Sequence, residues 1–347
     1  MRSEPNYNTI PVGQLGIIAL PGCEELANKI DNYLIRWRFQ RNSEHKDTLA
    51  FAGYEKSTYL INMDFPRFGT GEGKAALNQT VRGYDIYILC DVFNYGVTYK
   101  MYGMTVPMSP DEHFANLKRA ISAIEGKAKR VSVIMPMLYE GRQHKRSSRE
   151  SLDCAMMLQE LHNMGVENFI TFDAHDPRVM NAIPLCGFES ISPAYQMIKA
   201  AVNNVDNLKI NKDNIMIISP DEGGMSRCIY YSTVLGVELG MFYKRRDFSR
   251  IVDGRNPIIA HEFLGDNVEG KDVIIVDDMI SSGESMIEVA TKLKELKAAR
   301  IYIFSAFGLF CNGFDAFDKA FQEGIIDRVF TTNLIYGAPE LLSKDWY

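Results

Sequence analysis

The sequence predicts an α/β protein with two domains, each a mainly parallel sheet flanked by helices. Its length of 347 residues favours two domains over one. Apolar runs typical of buried strands alternate with helical patterns in both halves, which is the order of elements in parallel sheets. Several of these runs end in polar loops, where such sheets bind their ligands. We predict one domain of residues 1–188 and a second of residues 189–347.

Composition and charge narrow the functional class. The chain is 46% hydrophobic, has no apolar run long enough to span a bilayer and starts without a signal-peptide core. We therefore expect a cytoplasmic protein that binds no membrane. Six scattered cysteines without a CxxC pair indicate reduced thiols rather than a zinc site or disulfides. A net charge of −6 argues against nucleic-acid binding, so an anionic substrate needs local basic clusters.

The first half shows alternating strands and helices. Strands are predicted at residues 15–20, 60–63, 85–90, 131–135 and 168–172, and helices at residues 23–37, 110–124 and 151–163. The second helix is assigned because Phe114, Leu117 and Ile121 recur on one face. Three glycines between residues 69 and 73 predict a hairpin turn or a bulged loop before the third strand.

The second half repeats this order. Strands are predicted at residues 215–218, 273–276, 300–306 and 328–334, and helices start near residues 194, 284 and 315. The stretch Val273–Val276 is an unbroken β-branched run, which is the composition of a strand buried on both faces of a parallel sheet. The helix after it is assigned because Met286, Val289 and Leu293 recur at helical spacing.

A pair of acids separates this strand from this helix. Asp277 and Asp278 are expected where the strand ends, and a polar turn made of Ser281, Ser282, Gly283 and Ser285 follows. Adjacent carboxylates can accept hydrogen bonds from a vicinal diol, and a helix N-terminus can hold a phosphate with its backbone N–H groups. The spacing therefore favours a ribose 5-phosphate site. An ordinary strand-to-helix turn with solvated acids is the alternative.

This stretch resembles the phosphoribosyl-binding loop of the phosphoribosyltransferase fold. Other segments, in order along the chain, resemble the ribose-phosphate pyrophosphokinase (PRPP synthetase) family: RQ at 142–143, DAHD at 173–176, SPDEGG at 219–224, KRR at 244–246 and DDM at 277–279. The resemblance implies two phosphoribosyltransferase-like domains. It also implies transfer of the pyrophosphoryl group of MgATP to the 1-hydroxyl of ribose 5-phosphate, which gives PRPP and AMP.

The resemblance also implies which residues form the site. ATP would be bound by Arg142 and Gln143 together with Phe68, Thr70 and Glu72 of a neighbouring subunit, in a homo-oligomer built from dimers and extending up to a hexamer. The cofactor Mg²⁺ would be held by His175 and Asp221, and ribose 5-phosphate by Asp277, Asp278, Ser281, Ser282, Gly283 and Ser285. Lys244 and Arg246 would be catalytic, at the root of a mobile loop at residues 247–261.

The chain departs from the family pattern at several positions. Thr70 replaces an acid or an amide, and His144 stands where the family usually has Asp. The family's DLHA is DAHD here, so Asp176 replaces Ala. In the phosphate-binding turn Ser281 replaces an acid, and Glu284 occupies a position that is usually Gly. We expect the Glu284 side chain to point to solvent, because a carboxylate beside a phosphate would repel it.

Three other functions fit parts of the sequence. A phosphoribosyltransferase that uses ready-made PRPP would share the 273–285 stretch but would have no use for the RQ and DAHD segments. A regulatory paralogue would keep the fold and lose ligands, whereas Lys244, Arg246 and the two metal-ligand candidates are all present. A non-catalytic nucleotide-binding module is the third alternative. The chain also stops earlier than family members usually do, which suggests a shortened C-terminus.

Overall fold

A computed structural model describes residues 12–44, 56–246 and 258–347 of the protein. The chain forms two compact units. The first unit comprises Met1–Ile191 with Leu334–Tyr336, and the second comprises Ser192–Asn333 with Gly337–Tyr347. Within the described ranges, no helix combines the length and the apolar character needed to cross a membrane.

The first unit is built on a five-stranded parallel sheet. Its elements are β1 (Gln14–Ala19), α1 (Glu24–Glu44), β2 (Met63–Asp64), β3 (Ala76–Leu77), β4 (Tyr84–Leu89), β5 (Thr98–Met101), β6 (Met104–Pro107), α2 (Pro110–Ile124), β7 (Arg130–Ile134), α3 (Asp153–Asn163), β8 (Asn168–Phe172) and β9 (Gly187–Ile191). The strand order is β1-β4-β7-β8-β9, and every neighbouring pair is parallel. The strands β2 and β3 pair with each other, as do β5 and β6.

The predicted helix at residues 110–124 has the predicted bounds because its start is capped. The Ser109 side chain accepts the Glu112 N–H, and the Glu112 side chain accepts the Ser109 N–H. Its apolar face, with Leu117 and Ile121, joins the core formed on the sheet by residues such as Ile86. The β5–β6 hairpin was not predicted, because its strands are short and mostly exposed and so lack a clear apolar alternation.

The second unit contains a six-stranded sheet. Its elements are α4 (Ala194–Asn204), β10 (Ile215–Ser219), α5 (Met225–Leu235), β11 (Glu238–Arg246), β12 (Ile258–Leu264), β13 (Asp272–Ile280), α6 (Glu284–Glu295), β14 (Ile301–Gly308), α7 (Asp315–Gln322) and β15 (Arg328–Thr331). The strand order is β12-β11-β10-β13-β14-β15. Only β12, at the edge, is antiparallel to its neighbour among these strands. The predicted α/β fold class is therefore confirmed.

Strand β13 explains the apolar run seen in the sequence. Val273 and Ile275 pack into the core on one face of the sheet, whereas Ile274 and Val276 pack into the core on the other. Because both faces are covered, every residue of the run is apolar.

Strand β13 is also longer than predicted, and this corrects the placement of the acid pair. Pairing with β10 ends at Ile275, but pairing with β14 continues to Ile280. Asp277 and Asp278 therefore lie inside the strand, beyond the end of β10, rather than after the strand. The apolar run alone could not indicate this, because the extension depends on a partner strand distant in sequence.

Candidate active site

The acid pair lies at the carboxyl end of β13. Asp278 is buried and Asp277 is partly buried, and the Asp278 N–H donates to Asp277 Oδ1 at 2.9 Å. Arg227 on α5 reaches both carboxylates, with its Nη1 3.6 Å from Asp277 Oδ1 and 3.9 Å from Asp278 Oδ1. No role was predicted for Arg227 from the sequence, since a single arginine on a helix carries no motif.

The surroundings of Asp277 and Asp278 determine how readily these carboxyl groups ionise. Burial raises the pKa of Asp277 well above its usual value, and the charge of Asp278 raises it further. The nearby guanidinium of Arg227 opposes both effects. Hydroxyl groups that donate to the carboxylates stabilise their ionised form. The pair is therefore suited to a ligand that brings several hydroxyl donors, as a sugar does.

The turn after β13 is shaped by one glycine. Gly283 has φ +84°, and a Cβ there would lie 2.2 Å from the Phe317 ring, so only glycine fits. Helix α6 begins at the next residue without a side-chain cap, and the Glu284 N–H donates to Ser282 Oγ at 3.4 Å. Glu284 itself is exposed. The turn thus brings partly buried hydroxyl groups beside a helix N-terminus, which attracts anions.

Aromatic side chains pack against this turn at Gly283. Phe317 of α7 stacks on Trp346, with the ring centroids 5.2 Å apart. The Trp346 side chain is fully buried, and its indole N–H donates to Asp318 at 2.7 Å. The position of Gly283 is therefore fixed by a ring that is itself held in place.

A second loop of the same unit approaches from β10. The Asp221 Oδ1 accepts the N–H groups of Gly223 at 2.9 Å and Gly224 at 3.3 Å, which closes the SPDEGG turn. A Cβ at Gly224 would lie 2.9 Å from Ser219 Oγ. Because β10 and β13 are neighbouring parallel strands, both loops leave the sheet at the same edge.

Lys244 and Arg246 lie at the end of β11, where their backbones pair with those of His261 and Ile258 in β12. The strand β12 begins at Ile258, so the loop predicted for residues 247–261 ends earlier than expected. Residues 247–257 lie outside the described residues.

In the first unit, the glycine-rich stretch forms the predicted hairpin turn. The Phe68 N–H donates to Glu72 O at 2.8 Å, and the Gly71 N–H donates back to Phe68 O at 2.9 Å. Phe68, Thr70 and Glu72 are all exposed. The Thr70 hydroxyl donates to the Glu72 carboxylate at 2.8 Å, so the departure from the family pattern at Thr70 still leaves a polar pair at the tip.

Arg67, which the sequence analysis missed, anchors this turn. Its Nη1 donates to Gly71 O at 2.9 Å, and its Nη2 donates to Asn116 Oδ1 at 3.3 Å. The guanidinium also lies over the Tyr99 ring, 4.8 Å from the centroid. The turn is therefore tied to both α2 and the β5–β6 hairpin.

The RQ and DAHD segments lie in the loops that follow β7 and β8. Arg142 and Gln143 are exposed, and the Gln143 N–H donates to Glu140 O at 2.8 Å. His175 is also exposed. The structure brings His144 close to the second loop, with its ring centroid 5.3 Å from that of His175 and its Nε2 3.5 Å from Asp176 Oδ2.

Asp176 carries a firmly held negative charge. Hydrogen bonds from Arg178 are the main cause that lowers the pKa of Asp176 to about 2, with smaller effects of the Arg178 and His144 charges. The Arg178 Nε donates to both carboxylate oxygens, at 2.9 and 3.1 Å. Neither Asp176 nor Arg178 had a role that was predicted from the sequence.

Two family profiles cover most of the chain. One, described as the N-terminal domain of ribose phosphate pyrophosphokinase, matches residues 15–165, and the phosphoribosyl transferase domain matches residues 188–308. The chain belongs to the ribose-phosphate pyrophosphokinase family. The family predicted from the ordered motifs is thus confirmed.

Individual members of the ribose-phosphate pyrophosphokinase family agree with this assignment. The enzyme of Vibrio parahaemolyticus is 26% identical over 279 residues, which are 79% of this chain and 79% of that protein. The enzyme of Shewanella oneidensis is 27% identical over 280 residues, 80% of this chain and 79% of that protein. The crystal structure of phosphoribosylpyrophosphate synthetase from Mycobacterium smegmatis shares the fold, with a TM-score of 0.70 and 19% identity, covering 94% of this chain and 91% of that chain.

The described part of this pyrophosphokinase chain offers few ligands for the predicted Mg²⁺. Among residues 12–44, 56–246 and 258–347, no three His, Cys, Asp or Glu side chains are arranged to hold a metal ion. His175 and Asp221 belong to different units. Each offers a single ligand, which suits Mg²⁺ that is bound mainly by substrate phosphates and water. Either residue could ligate a metal that arrives with its own phosphate ligands, and neither belongs to a permanent metal centre among the described residues.

Proposed function

We propose that the protein transfers the pyrophosphoryl group of MgATP to the 1-hydroxyl of ribose 5-phosphate, with PRPP and AMP as products. The observation that carries this proposal is the acid pair at the end of β13. Asp277 and Asp278 lie within reach of Arg227 and are followed by a serine-rich turn and a helix N-terminus. A sugar phosphate has both the hydroxyl donors and the anionic group that this arrangement can bind.

Ribose 5-phosphate binds along this stretch. Its vicinal hydroxyls donate to the carboxylates of Asp277 and Asp278, which favours the ionised form of the pair. Its phosphate accepts hydrogen bonds from backbone N–H groups at the start of α6 and from the hydroxyls of Ser281, Ser282 and Ser285, with Gly283 providing the close approach. The exposed Glu284 leaves this site uncrowded.

ATP binds to the first unit. Arg142 can form a bidentate contact with phosphate oxygens, and Gln143 can read the adenine edge. Phe68, Thr70 and Glu72 act on the nucleotide of a neighbouring subunit, since the turn that carries them is exposed and rigidly anchored by Arg67. This arrangement requires a homo-oligomer built from dimers.

The chemistry needs alignment and charge neutralisation more than covalent participation by the protein. The 1-hydroxyl oxygen bonds to the β-phosphorus of ATP and loses its proton to solvent, while the bond from that phosphorus to the α,β-bridging oxygen breaks and AMP leaves with the bonding electron pair. Lys244 and Arg246 stabilise the charge on the moving pyrophosphoryl group. Mg²⁺ would neutralise phosphate charge, and His175 and Asp221 are each a candidate to ligate such an ion. We place this reaction in the cytoplasm, in accord with six cysteines that are all free.

The decisive experiment measures AMP and PRPP formed by the purified protein from ATP and ribose 5-phosphate with Mg²⁺. We expect both products in equal amounts, with neither formed when one substrate is omitted. The absence of AMP at saturating substrates would refute catalysis and favour the regulatory paralogue. PRPP consumption with an added base would instead indicate a phosphoribosyltransferase.

A further inference from the structure

Two loops of the first unit carry residues that we assign to ATP and to its Mg²⁺. The loop after β7 carries Arg142 and Gln143, and the loop after β8 carries His175. Because β7 and β8 are adjacent and parallel, the loops leave the sheet at the same edge. Productive binding needs a fixed distance between them, since a nucleotide would contact both loops at once.

His144 joins these loops. Its Nε2 lies 3.5 Å from Asp176 Oδ2, and its ring packs against that of His175 with centroids 5.3 Å apart. The side chains of His144 and Asp176 are only 12% and 11% exposed, so water and salt screen their interaction less than at an open surface. The Nδ1 atom of His144 is buried without a hydrogen-bond partner among the described residues, which leaves the Asp176 carboxylate as the polar contact seen for this ring.

Asp176 is itself immobilised. Its carboxylate accepts hydrogen bonds from the Arg178 side chain and from the Arg178 backbone N–H at 3.0 Å, which starts the short 3₁₀ helix Pro177–Ala182. A contact with Asp176 therefore connects the first loop to the hydrogen-bonded start of this 3₁₀ helix.

These two residues are also positions at which the chain departs from the family motifs. His144 replaces the usual Asp of the first loop, and Asp176 replaces the usual Ala of the second. The structure brings the two replacements into contact. A carboxylate lost from one loop is thus supplied from the other, and the imidazole fills the space between them.

We infer that His144 and Asp176 act as a matched pair that positions the two ATP-binding loops against each other and so sets nucleotide affinity. Neither needs to contact the reacting atoms. The inference rests on the proposed function only for the assignment of ATP to these loops.

A double-mutant cycle measures the matched pair directly. His144→Asn, Asp176→Asn and the double variant are compared with the unaltered protein for ATP binding by calorimetry with Mg²⁺, and for the KM of each substrate. We expect each single variant to bind ATP roughly fivefold or more weakly and the double variant to be no weaker than either. The KM for ribose 5-phosphate should change less than about twofold, because that substrate is assigned to residues of the second unit.

A swap to the family residues provides a rescue. His144→Asp and Asp176→Ala should each weaken ATP binding, and their combination should recover affinity to within about twofold of the unaltered protein if the two positions act as one unit. Thermal unfolding of every variant verifies that the loss is not one of folding.

Two further variants test whether the effect on ATP binding is specific to the His144–Asp176 contact. Glu160→Gln removes the ion pair with Lys118, 2.8 Å long and elsewhere in the same unit, and should leave ATP affinity unchanged. Arg178→Gln keeps the His144–Asp176 contact and should have a smaller effect than Asp176→Asn.

Additive losses in the cycle, or equal losses for both substrates, would overturn the pairing. Absence of ATP binding to the unaltered protein would overturn it too. Coupling between the two positions in ATP binding without any PRPP formation would leave the pairing intact and refute the proposed function instead.

Discussion

Asp91 is a buried carboxylate whose protonation should affect stability. It accepts the N–H of Phe93 at 3.0 Å and that of Tyr336 at 2.6 Å, all within the first unit. Burial is nevertheless the dominant influence and raises the pKa of Asp91 to about 6. The folded state therefore binds this proton more tightly than the unfolded state does, and the stabilisation from protonation is complete below about pH 4 and lost as the pH rises through 6.

We compare the unaltered protein with Asp91→Asn. The free energy of unfolding of the unaltered protein, relative to that of the variant, should fall by roughly 2 to 3 kcal/mol between pH 4 and pH 7. Urea unfolding of both proteins across this range measures the difference, which cancels the titration of all other groups. A difference that does not vary with pH would contradict the raised pKa.

Arg227 should control the charge state of the acid pair in the proposed ribose 5-phosphate site. Without its cation, the pKa of Asp277 would rise further, because burial and Asp278 would be less opposed. We predict that Arg227→Met raises the KM for ribose 5-phosphate about tenfold or more near neutral pH. The defect should shrink as the pH rises, since the carboxylates then ionise without help, and the KM for ATP should change little.

Arg227→Lys, which keeps the charge, should recover part of the affinity. The exposed Thr233→Ala on the same helix is the matched control and should behave as the unaltered protein does. A KM defect of the same size at every pH would mean that Arg227 only packs the helix.

Individual elements were predictable where local sequence decides them. Helix α2 carries its own cap and apolar face, and the Val273–Val276 run identifies its strand without help. The extension of β13 to Ile280 was not predictable, because it depends on pairing with β14. The same applies to the site, where motifs indicated the acid pair but not Arg227, whose contacts arise only after α5 packs on the sheet.

At the scale of the turn before α6, Gly283 offers a sharp test. Gly283→Ala would need a left-handed φ of +84° and would place a Cβ 2.2 Å from the Phe317 ring. Gly270→Ala has a similar φ of +76° but no atom within 4 Å, so it measures the backbone penalty alone. We expect about 1 kcal/mol of destabilisation for Gly270→Ala and at least about 2 kcal/mol more for Gly283→Ala, by urea unfolding.

Gly283→Ala should also raise the KM for ribose 5-phosphate severalfold, whereas Gly270→Ala should not change it. Equal effects of the two substitutions on stability and on KM would show that Phe317 yields to the added methyl group.

For the whole molecule, the proposed sharing of the ATP site between subunits predicts complementation. Glu72→Ala impairs the contribution of one subunit to its neighbour's site, and Arg142→Ala impairs the subunit's own site. When dimers assemble from equal amounts of both variants, half of the dimers contain one copy of each. In each mixed dimer, one of the two sites has both Arg142 and the neighbour's Glu72 and is therefore intact. We therefore expect activity to recover to about one quarter of the unaltered level.

Arg142→Ala mixed with Gln143→Ala is the matched control. Each substitution impairs the site of its own subunit, so neither site of a mixed dimer is intact. The activity of each mixture is measured after joint unfolding and refolding of the two variants. No recovery in the first mixture, with normal assembly by light scattering, would place all five ATP-binding residues in one subunit.

The stacking of Trp346 on Phe317 makes intrinsic tryptophan fluorescence a reporter of this part of the molecule. The chain has two tryptophans, and Trp37 on α1 is 38% exposed whereas Trp346 is 1% exposed. Iodide in solution should quench the emission of Trp37 and spare the bluer emission of Trp346. Since the Phe317 ring also lies against Gly283, ribose 5-phosphate that moves the turn should change the spared emission, so that binding can be followed by fluorescence without a label.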